Sequence, residues 1–242
     1  MAKRARQAET AREAALQALY RVERDGAFLN LALPPLLNSL PPRERSLARE
    51  IATGTLRRRN TLDWSLELFL KQPLEKLTGW IRNLLRLSAY QLLYLERVPD
   101  HAAVDEAVKL ARRYGHRGVA GLVNAVLRRL AACGGDLPWP DPEQQPLEHL
   151  VLRYSHPRWL VKRWSRRFGL AGARALCEAN NLPPPLALRP NRLRTDPYAL
   201  VERLAAEDVA AAFSPRLPGV LLAKLAGPLS ALSSYREGLF TV

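Results

Sequence analysis

Arginine is the residue type best placed to do chemistry in this sequence, because it recurs in short clusters near the ends of predicted helices. A guanidinium group presents a planar fork of donors that fits phosphate oxygens and stacks on bases. We therefore expect these clusters to contact RNA. They are Arg4, Arg6 and Arg12; Arg57, Arg58 and Arg59; Arg112, Arg113 and Arg117; and Arg128 and Arg129. The alternative for each is that it satisfies the carbonyls and the dipole at a helix C-terminus.

A second basic stretch, YSHPRWLVKRWSRRF at residues 154–168, also contains aromatic residues. Its cations recur at steps of three to four residues, which predicts a basic stripe on one side of a helix; they are Lys162, Arg163, Arg166 and Arg167. Trp159 and Trp164 are five residues apart and point in different directions on a helix, so we expect one of them to be buried. RNA contact is the favoured interpretation, and docking on a neighbouring domain is the alternative.

Aromatic residues near the arginine clusters are candidates for stacking on unpaired bases. Tyr20 and Phe28 are two of them, with core packing favoured for Tyr20. Tyr114 lies beside Gly115 and three arginines, which makes it the better stacking candidate.

Residues for catalysis or metal binding are poorly placed. His101 and Asp105 are one helical turn apart, but no nucleophile is tied to them. Cys133 and Cys177 show no CxxC spacing, and the four histidines lack ligand spacing. No GxGxxG or P-loop pattern occurs. The sequence therefore predicts no catalytic site and no metal site.

The charge balance favours an anionic partner. The chain has 37 Lys plus Arg against 23 Asp plus Glu, a net charge of +14. Residues 1–135 have 23 bases and 13 acids, so most of the excess lies in the first half. Such a field attracts polyanions, of which nucleic acid is the commonest and anionic lipid the rival. The absence of a long apolar run and of a secretory signal favours a cytoplasmic protein that does not enter a membrane.

The elements that must position these residues are helical in the first half. Apolar spacing predicts successive helices up to Leu130, with Ile81 to Leu95 in a long central one. Thr61 and Asp100 are predicted to cap two of the helices. Short connections between them predict a compact bundle over residues 1–132.

The second half has a different pattern of residue types. Residues 133–148 are rich in Gly and Pro and predict a linker. Residues 149–242 combine helical segments at 159–168, 171–179 and 197–206 with short apolar runs at 186–188, 209–213 and 220–222. This alternation predicts a small α+β domain. The segment GLFTV predicts a further strand in which the sequence stops, so we expect the domain to be truncated there.

Several segments together resemble a known family. AREAALQALYRVERDGAF, RERSLAREIATGTLRRRNTLDW and LRLSAYQLLYLERVPDHAAVDEAVKLARRYGHRGVAGLVNAVLRRL are similar to the NusB-like domain of the Sun/RsmB ribosomal RNA (cytosine-C5)-methyltransferases. LRYSHPRWLVKRWSRRFG and LALRPNRLRTD resemble the small domain that follows it. The resemblance covers about residues 8–242 and implies an all-α NusB-like bundle followed by an RNA-recognition-like α+β domain.

The resemblance also implies a third domain with S-adenosylmethionine and a catalytic cysteine. These residues contain neither the Gly-rich cofactor loop nor a Pro-Cys motif, and Cys133 and Cys177 match neither family cysteine. Pro190 departs from the apolar residue usual in its strand and is expected to weaken the ladder there. We therefore expect this chain to hold no cofactor and to recognise 16S ribosomal RNA without transferring a methyl group itself.

Two other functions remain open. One is a NusB-type transcription antitermination factor, which would bind boxA RNA and a small-subunit ribosomal protein. The other is a protein-interaction module without RNA contact. A monomer or a weak dimer is expected in each case.

Overall fold

A computed structural model describes residues 8–116, 118–225, 227 and 229–242. The chain divides into two compact units, residues 1–178 and residues 179–242. The helices are α1 (Ala11–Asp25), α2 (Leu29–Ala32), α3 (Pro34–Leu37), α4 (Pro42–Arg57), α5 (Arg59–Glu67), α6 (Gly79–Tyr94), α7 (Asp100–Tyr114), α8 (Val119–Ala132), α9 (Pro146–Tyr154), α10 (Arg158–Asn181), α11 (Pro197–Ala205) and α12 (Ser233–Arg236). The strands are β1 (Leu186–Pro190), β2 (Ala210–Phe213), β3 (Leu221–Lys224) and β4 (Phe240–Thr241).

The helix ends follow local chemistry. The Thr10 hydroxyl accepts a hydrogen bond from the Glu13 N–H at 3.2 Å and starts α1, and Gly26, with φ 64°, ends it. Two predicted caps were wrong. Asp100 is the first residue of α7, where its carboxylate faces the helix dipole, and Pro99 occupies the cap position. Thr61 lies inside α5, where its hydroxyl donates to the Leu152 carbonyl at 2.5 Å.

Helix α6 is the centre of the first unit. It packs against α1, α4, α5, α7 and α8, and its residues from Ile81 to Gln91 are buried except for Arg82. Each fully buried leucine of this core contributes roughly 1.5–3 kcal/mol relative to an exposed one. At Gly54 the α4 backbone lies against the Tyr90 ring, and an added Cβ atom would overlap that ring. The first unit is therefore a bundle built around one buried helix.

A buried ionic network joins α6 to two other helices. The Arg86 side chain is 5% exposed, and its Nε and Nη2 donate to the two Asp63 carboxylate oxygens at 2.6 and 2.8 Å. Its Nη1 donates to Glu23 Oε1 at 3.0 Å. Burial alone would raise the pKa of Glu23, but hydrogen bonds from Arg82 and Arg86 outweigh it, so this pKa is lowered. The network fixes the registry of α1, α5 and α6.

Residues 133–178 belong to the same compact unit as this bundle. Leu137 is buried in its core, and the Trp139 ring lies 4.7 Å from the Trp64 ring. Helix α9 contacts α5, and α10 bends at Gly169, where φ is 70° and ψ is 174°. This bend separates the two helical segments that the sequence predicts. The division at 133–148 into domains 1–132 and 149–242 stays a prediction about folding units.

The second unit has a four-stranded antiparallel sheet in the order β2-β3-β1-β4. Burial alternates along β1, with Leu188 and Pro190 buried and Ala187 and Arg189 exposed. Pro190 pairs with Phe240, and α11 packs against β2. The predicted fold class, an all-helical domain followed by a small α+β domain, is confirmed.

Candidate nucleic-acid interface

The first part of α10 presents one basic face. Its residues follow the i, i+3, i+4, i+7, i+8 spacing of a single helix side, and together they line an open cleft of about 540 Å³. We call them the α10 basic face: Trp159, Lys162, Arg163, Arg166 and Arg167. On the opposite side of α10, the buried residues Val161, Ala173 and Cys177 pack against α9. The helix therefore has one anchored side and one solvent-facing basic side.

The α10 basic face is exposed. The Trp159 side chain is 65% exposed, whereas Trp164 is half-buried with its ring 5.5 Å from the His156 ring. Among the described residues, none of the four cations of this face pairs with a carboxylate. The Arg167 guanidinium carbon lies 5.2 Å from the centre of the Phe168 ring. An exposed indole beside unpaired cations can stack on a base while the cations contact phosphates. Helical spacing indicated the four cations, but not which tryptophan would be exposed.

The arginines between α4 and α5 lie in three different environments. Arg57 is exposed. Arg58 is half-buried, with its guanidinium carbon 4.9 Å from the centre of the Tyr94 ring. Arg59 lies 3.7 Å from Asp63, one turn further along α5. Arg57 is thus the member of this cluster with the freest guanidinium.

The cluster near Gly115 is largely held by internal contacts. Arg113 pairs with Glu9 at 3.1 Å and Glu13 at 3.2 Å. Tyr114 donates its hydroxyl hydrogen to Glu13 at 2.5 Å and stacks on Trp80 at 4.5 Å. Burial, together with this bond to Glu13, raises the pKa of Tyr114 to about 12. Both the Arg113 and the Tyr114 side chains are therefore held by partners within the bundle.

Neighbouring candidate residues differ in their exposure and in their side-chain partners. Arg112 is exposed, whereas the Arg12 Nε donates to Gln91 Oε1 at 2.7 Å. Tyr20 stacks on Trp80 at 3.8 Å, as expected for a packing role, and Phe28 is 74% exposed.

The remaining predicted arginines lie on α8 or outside the described residues. Arg128 is exposed, and its Nε donates to Asn124 Oδ1 at 2.9 Å. Arg129 is exposed, with its guanidinium carbon 5.3 Å from the centre of the Phe69 ring. Arg4, Arg6 and Arg117 lie outside the described residues.

The two thiols are not arranged for nucleophilic chemistry. Cys177 is fully buried, and this burial raises the pKa of its thiol to about 11. Cys133 is half-buried and donates to the Arg129 carbonyl at 3.4 Å. Within the described ranges, no group of His, Cys, Asp and Glu could hold a metal ion. No helix there is long and apolar enough to span a bilayer.

Comparison with known proteins gives two family matches. Residues 9–132 match the NusB family, and residues 156–229 match the Methyltr_RsmF/B-like, ferredoxin-like domain. A protein of Bacillus subtilis named "Probable ribosomal RNA small subunit methyltransferase B" is 39% identical over 200 residues, which cover 82% of this chain and 44% of that protein.

A Synechocystis protein of the same name is 31% identical over 236 residues, covering 96% of this chain and 52% of that protein. The chain therefore spans about half the length of the curated relatives that it matches. The crystal structure of PH0851 has the same fold, with a TM-score of 0.65, 18% identity, and coverage of 95% of this chain and 52% of that one.

Proposed function

The chain belongs to the NusB family, joined here to an RsmF/B-like, ferredoxin-like domain, and on this premise we propose that it recognises ribosomal RNA. More specifically, we propose that these residues form the substrate-recognition region of a 16S ribosomal RNA cytosine-C5 methyltransferase. The names of the relatives support the substrate class. A ribosomal RNA partner also implies that the chain acts in the cytoplasm.

One observation carries this proposal: the α10 basic face combines four unpaired cations with an exposed indole. Cations without carboxylate partners supply phosphate contacts, and phosphate contacts account for most of the affinity of a basic RNA-binding protein. An exposed tryptophan is a platform for an unpaired base, such as one in a ribosomal RNA loop. Arg57, Arg112 and Arg128 are exposed as well, and we propose that they add phosphate contacts on the first unit.

We assign no methyl-transfer step to these residues. The methyl donor that the family resemblance implies is S-adenosylmethionine, which carries a positively charged sulfonium. The cleft of the α10 basic face does not fit that group, because it is lined by cations. The buried Cys177 thiol, with its raised pKa, is unsuited to act as a nucleophile.

The NusB family match also favours a second candidate, a transcription antitermination factor. Such a factor would bind a boxA single strand and a small-subunit ribosomal protein. The ferredoxin-like domain at residues 156–229 favours the first candidate over this one.

Binding measured over a series of salt concentrations tests the proposal. The ligands are a small-subunit ribosomal RNA hairpin, a boxA single strand and a duplex DNA of matched length. We expect the hairpin to bind most tightly and its affinity to fall steeply with salt, because each phosphate contact releases a counterion. A preference for the boxA strand would support antitermination. Failure to bind any of the three would leave a protein-interaction module.

A further inference from the structure

The second unit contains a cleft of about 600 Å³ whose residues were not among the sequence-based candidates. It lies where the end of β1, the loop between β2 and β3, and β4 come together. Its lining residues are Arg189, Pro190, Asn191, Arg192, Pro218, Gly219, Val220 and Thr241. These residues contribute two guanidinium groups and no carboxylate. The cleft is therefore cationic.

Both arginines are free to bind a ligand. Among the described residues, neither Arg189 nor Arg192 makes an ion pair or a side-chain hydrogen bond. Nearby arginines are used differently: Arg194 donates to the Glu237 carbonyl at 2.6 Å, and Arg203 pairs with the Glu237 carboxylate at 3.0 Å. Of these four arginines, the two without such a partner are the ones that line the cleft.

The floor of the cleft is shaped to hold the Arg192 guanidinium. Gly219 has a φ of +73°, and a Cβ atom added to it would lie 2.8 Å from Arg192 Nη2. A side chain at position 219 would therefore displace this guanidinium. The bare backbone of the β2–β3 loop lets Arg192 lie close against it.

Hydrogen bonds fix the backbone at Asn191, between the two arginines. The Asn191 N–H donates to the Leu239 carbonyl at 2.8 Å, and its Nδ2 donates to the Gly238 carbonyl at 3.0 Å. Its Oδ1 accepts from the Leu193 N–H at 3.2 Å. Arg189 is held in β1, in register with Thr241 of β4. The backbone that carries the two arginines is thus ordered without using their side-chain donors.

We propose that this cleft binds the phosphodiester backbone of an RNA strand through Arg189 and Arg192. Guanidinium groups form paired, charge-assisted hydrogen bonds with phosphate oxygens, and two of them beside one cleft can contact one phosphate or two successive ones. The proposal rests on the proposed function, because it assigns the second unit a share in RNA recognition.

The test compares the R189Q/R192Q double variant with wild-type protein in hairpin binding over a salt series. If each arginine contacts a phosphate, the slope of log K against log salt becomes shallower by about 1.4–1.8, and affinity falls about tenfold or more in dilute salt. The control is R24Q/R174Q, which removes the same two charges from arginines paired with Asp25 and Glu178. We expect this control to keep the wild-type slope.

The R189K/R192K variant separates charge from geometry. Lysine keeps the charge but loses the planar fork, so the slope is expected to stay near that of wild type while affinity falls. Circular dichroism is used to check that each variant is folded. Wild-type slope and affinity in folded R189Q/R192Q would overturn the cleft assignment and leave the proposed function standing. Absence of hairpin binding by wild-type protein would instead overturn the proposed function.

Discussion

At the scale of single residues, the arginines separate by the partners they have in the fold. Arg113 is bound to two glutamates, and the Arg86 side chain is buried between two carboxylates. The cations of the α10 basic face, in contrast, have no carboxylate partner in the described part of the chain. Amino-acid type alone does not separate the arginines of these groups, because each has the same guanidinium chemistry. The unpaired ones are those with donors left for a phosphate.

Trp159→Ala tests the stacking role of the exposed indole. Loss of one base–aromatic stack is expected to weaken RNA binding by about 1–3 kcal/mol, with no change in the salt slope, because no charge is removed. Trp159→Phe keeps an aromatic surface and serves as the matched control, with most of the affinity retained. Fluorescence anisotropy with a labelled hairpin gives both quantities. Equal affinity of Trp159→Ala and wild-type protein would argue that the indole does not touch RNA.

Arg86→Ala tests the buried ionic network. The variant leaves Glu23 and Asp63 without their shared cation, and removing one partner of a buried pair costs about 3–5 kcal/mol. Urea unfolding measures the loss, and the surface variant Arg24→Ala is the control, with an expected midpoint close to wild type. An unchanged midpoint for Arg86→Ala would show that the network does not stabilise the fold.

The same network predicts how stability depends on pH. The folded-state pKa of Glu23 lies below its ordinary value of 4.5. Its contribution to the free energy of unfolding is therefore complete above pH 4.5 and is lost as the pH falls through the folded-state pKa. In Arg86→Ala this acid-dependent loss should shrink, because one of the donors that lower the pKa is gone.

At the scale of elements, close helix packing decides where side chains fit. Gly54 on α4 lies against the Tyr90 ring on α6, whereas Gly121 on α8 faces open space. Both glycines lie inside helices, so the sequence alone does not distinguish their surroundings. The kink of α10 at Gly169 is likewise a property of the element, since the positive φ there suits glycine.

Gly54→Ala and Gly121→Ala form a matched pair. The added methyl group at position 54 would overlap Tyr90, so we expect a loss of about 1–3 kcal/mol or more. At position 121 the same change fills open space and removes a flexible residue from a helix, with an expected gain of roughly 0.5–1 kcal/mol. Thermal unfolding of both variants checks the difference. Similar effects at the two positions would mean that α4 and α6 do not approach as closely as described.

At the scale of the whole molecule, two compact units follow one another along a chain with a net charge of +14. The first unit extends beyond the helices that match the NusB family, because the segments after residue 132 pack onto it. Trp139 contacts Trp64, and the Leu152 carbonyl accepts from Thr61. Removing these segments would expose surface that they cover.

Two truncations test the extent of the first unit. Residues 1–178 include the packing of α9 on α5 and are expected to unfold cooperatively. Residues 1–132 lack Leu137, Trp139 and α9, so we expect a lower melting temperature and greater binding of a hydrophobic dye. Circular dichroism and dye fluorescence make the comparison. Equal stability of the two fragments would instead support the folding boundary predicted at residues 133–148.

Sequence alone was enough to predict the fold class, most of the helices, the four strands and the basic stripe on α10, but not helices α9 and α12. Local chemistry sets these features: apolar spacing marks helix faces, and Gly and Pro mark breaks. Family resemblance pointed to the same two-domain architecture. The exact caps were less predictable, because Thr61 uses its hydroxyl for a contact with α9 that is distant in sequence.

Tertiary structure alone decided which arginines have partners and which surfaces form clefts. Arg113 meets Glu9 and Glu13 only after α1 and α7 pack, and Arg189 and Arg192 face one cleft only after β1, β3 and β4 pair. Such contacts join residues far apart in sequence, so no local sequence pattern predicts them. The physical reason is that a guanidinium binds whichever oxygen the fold brings within reach.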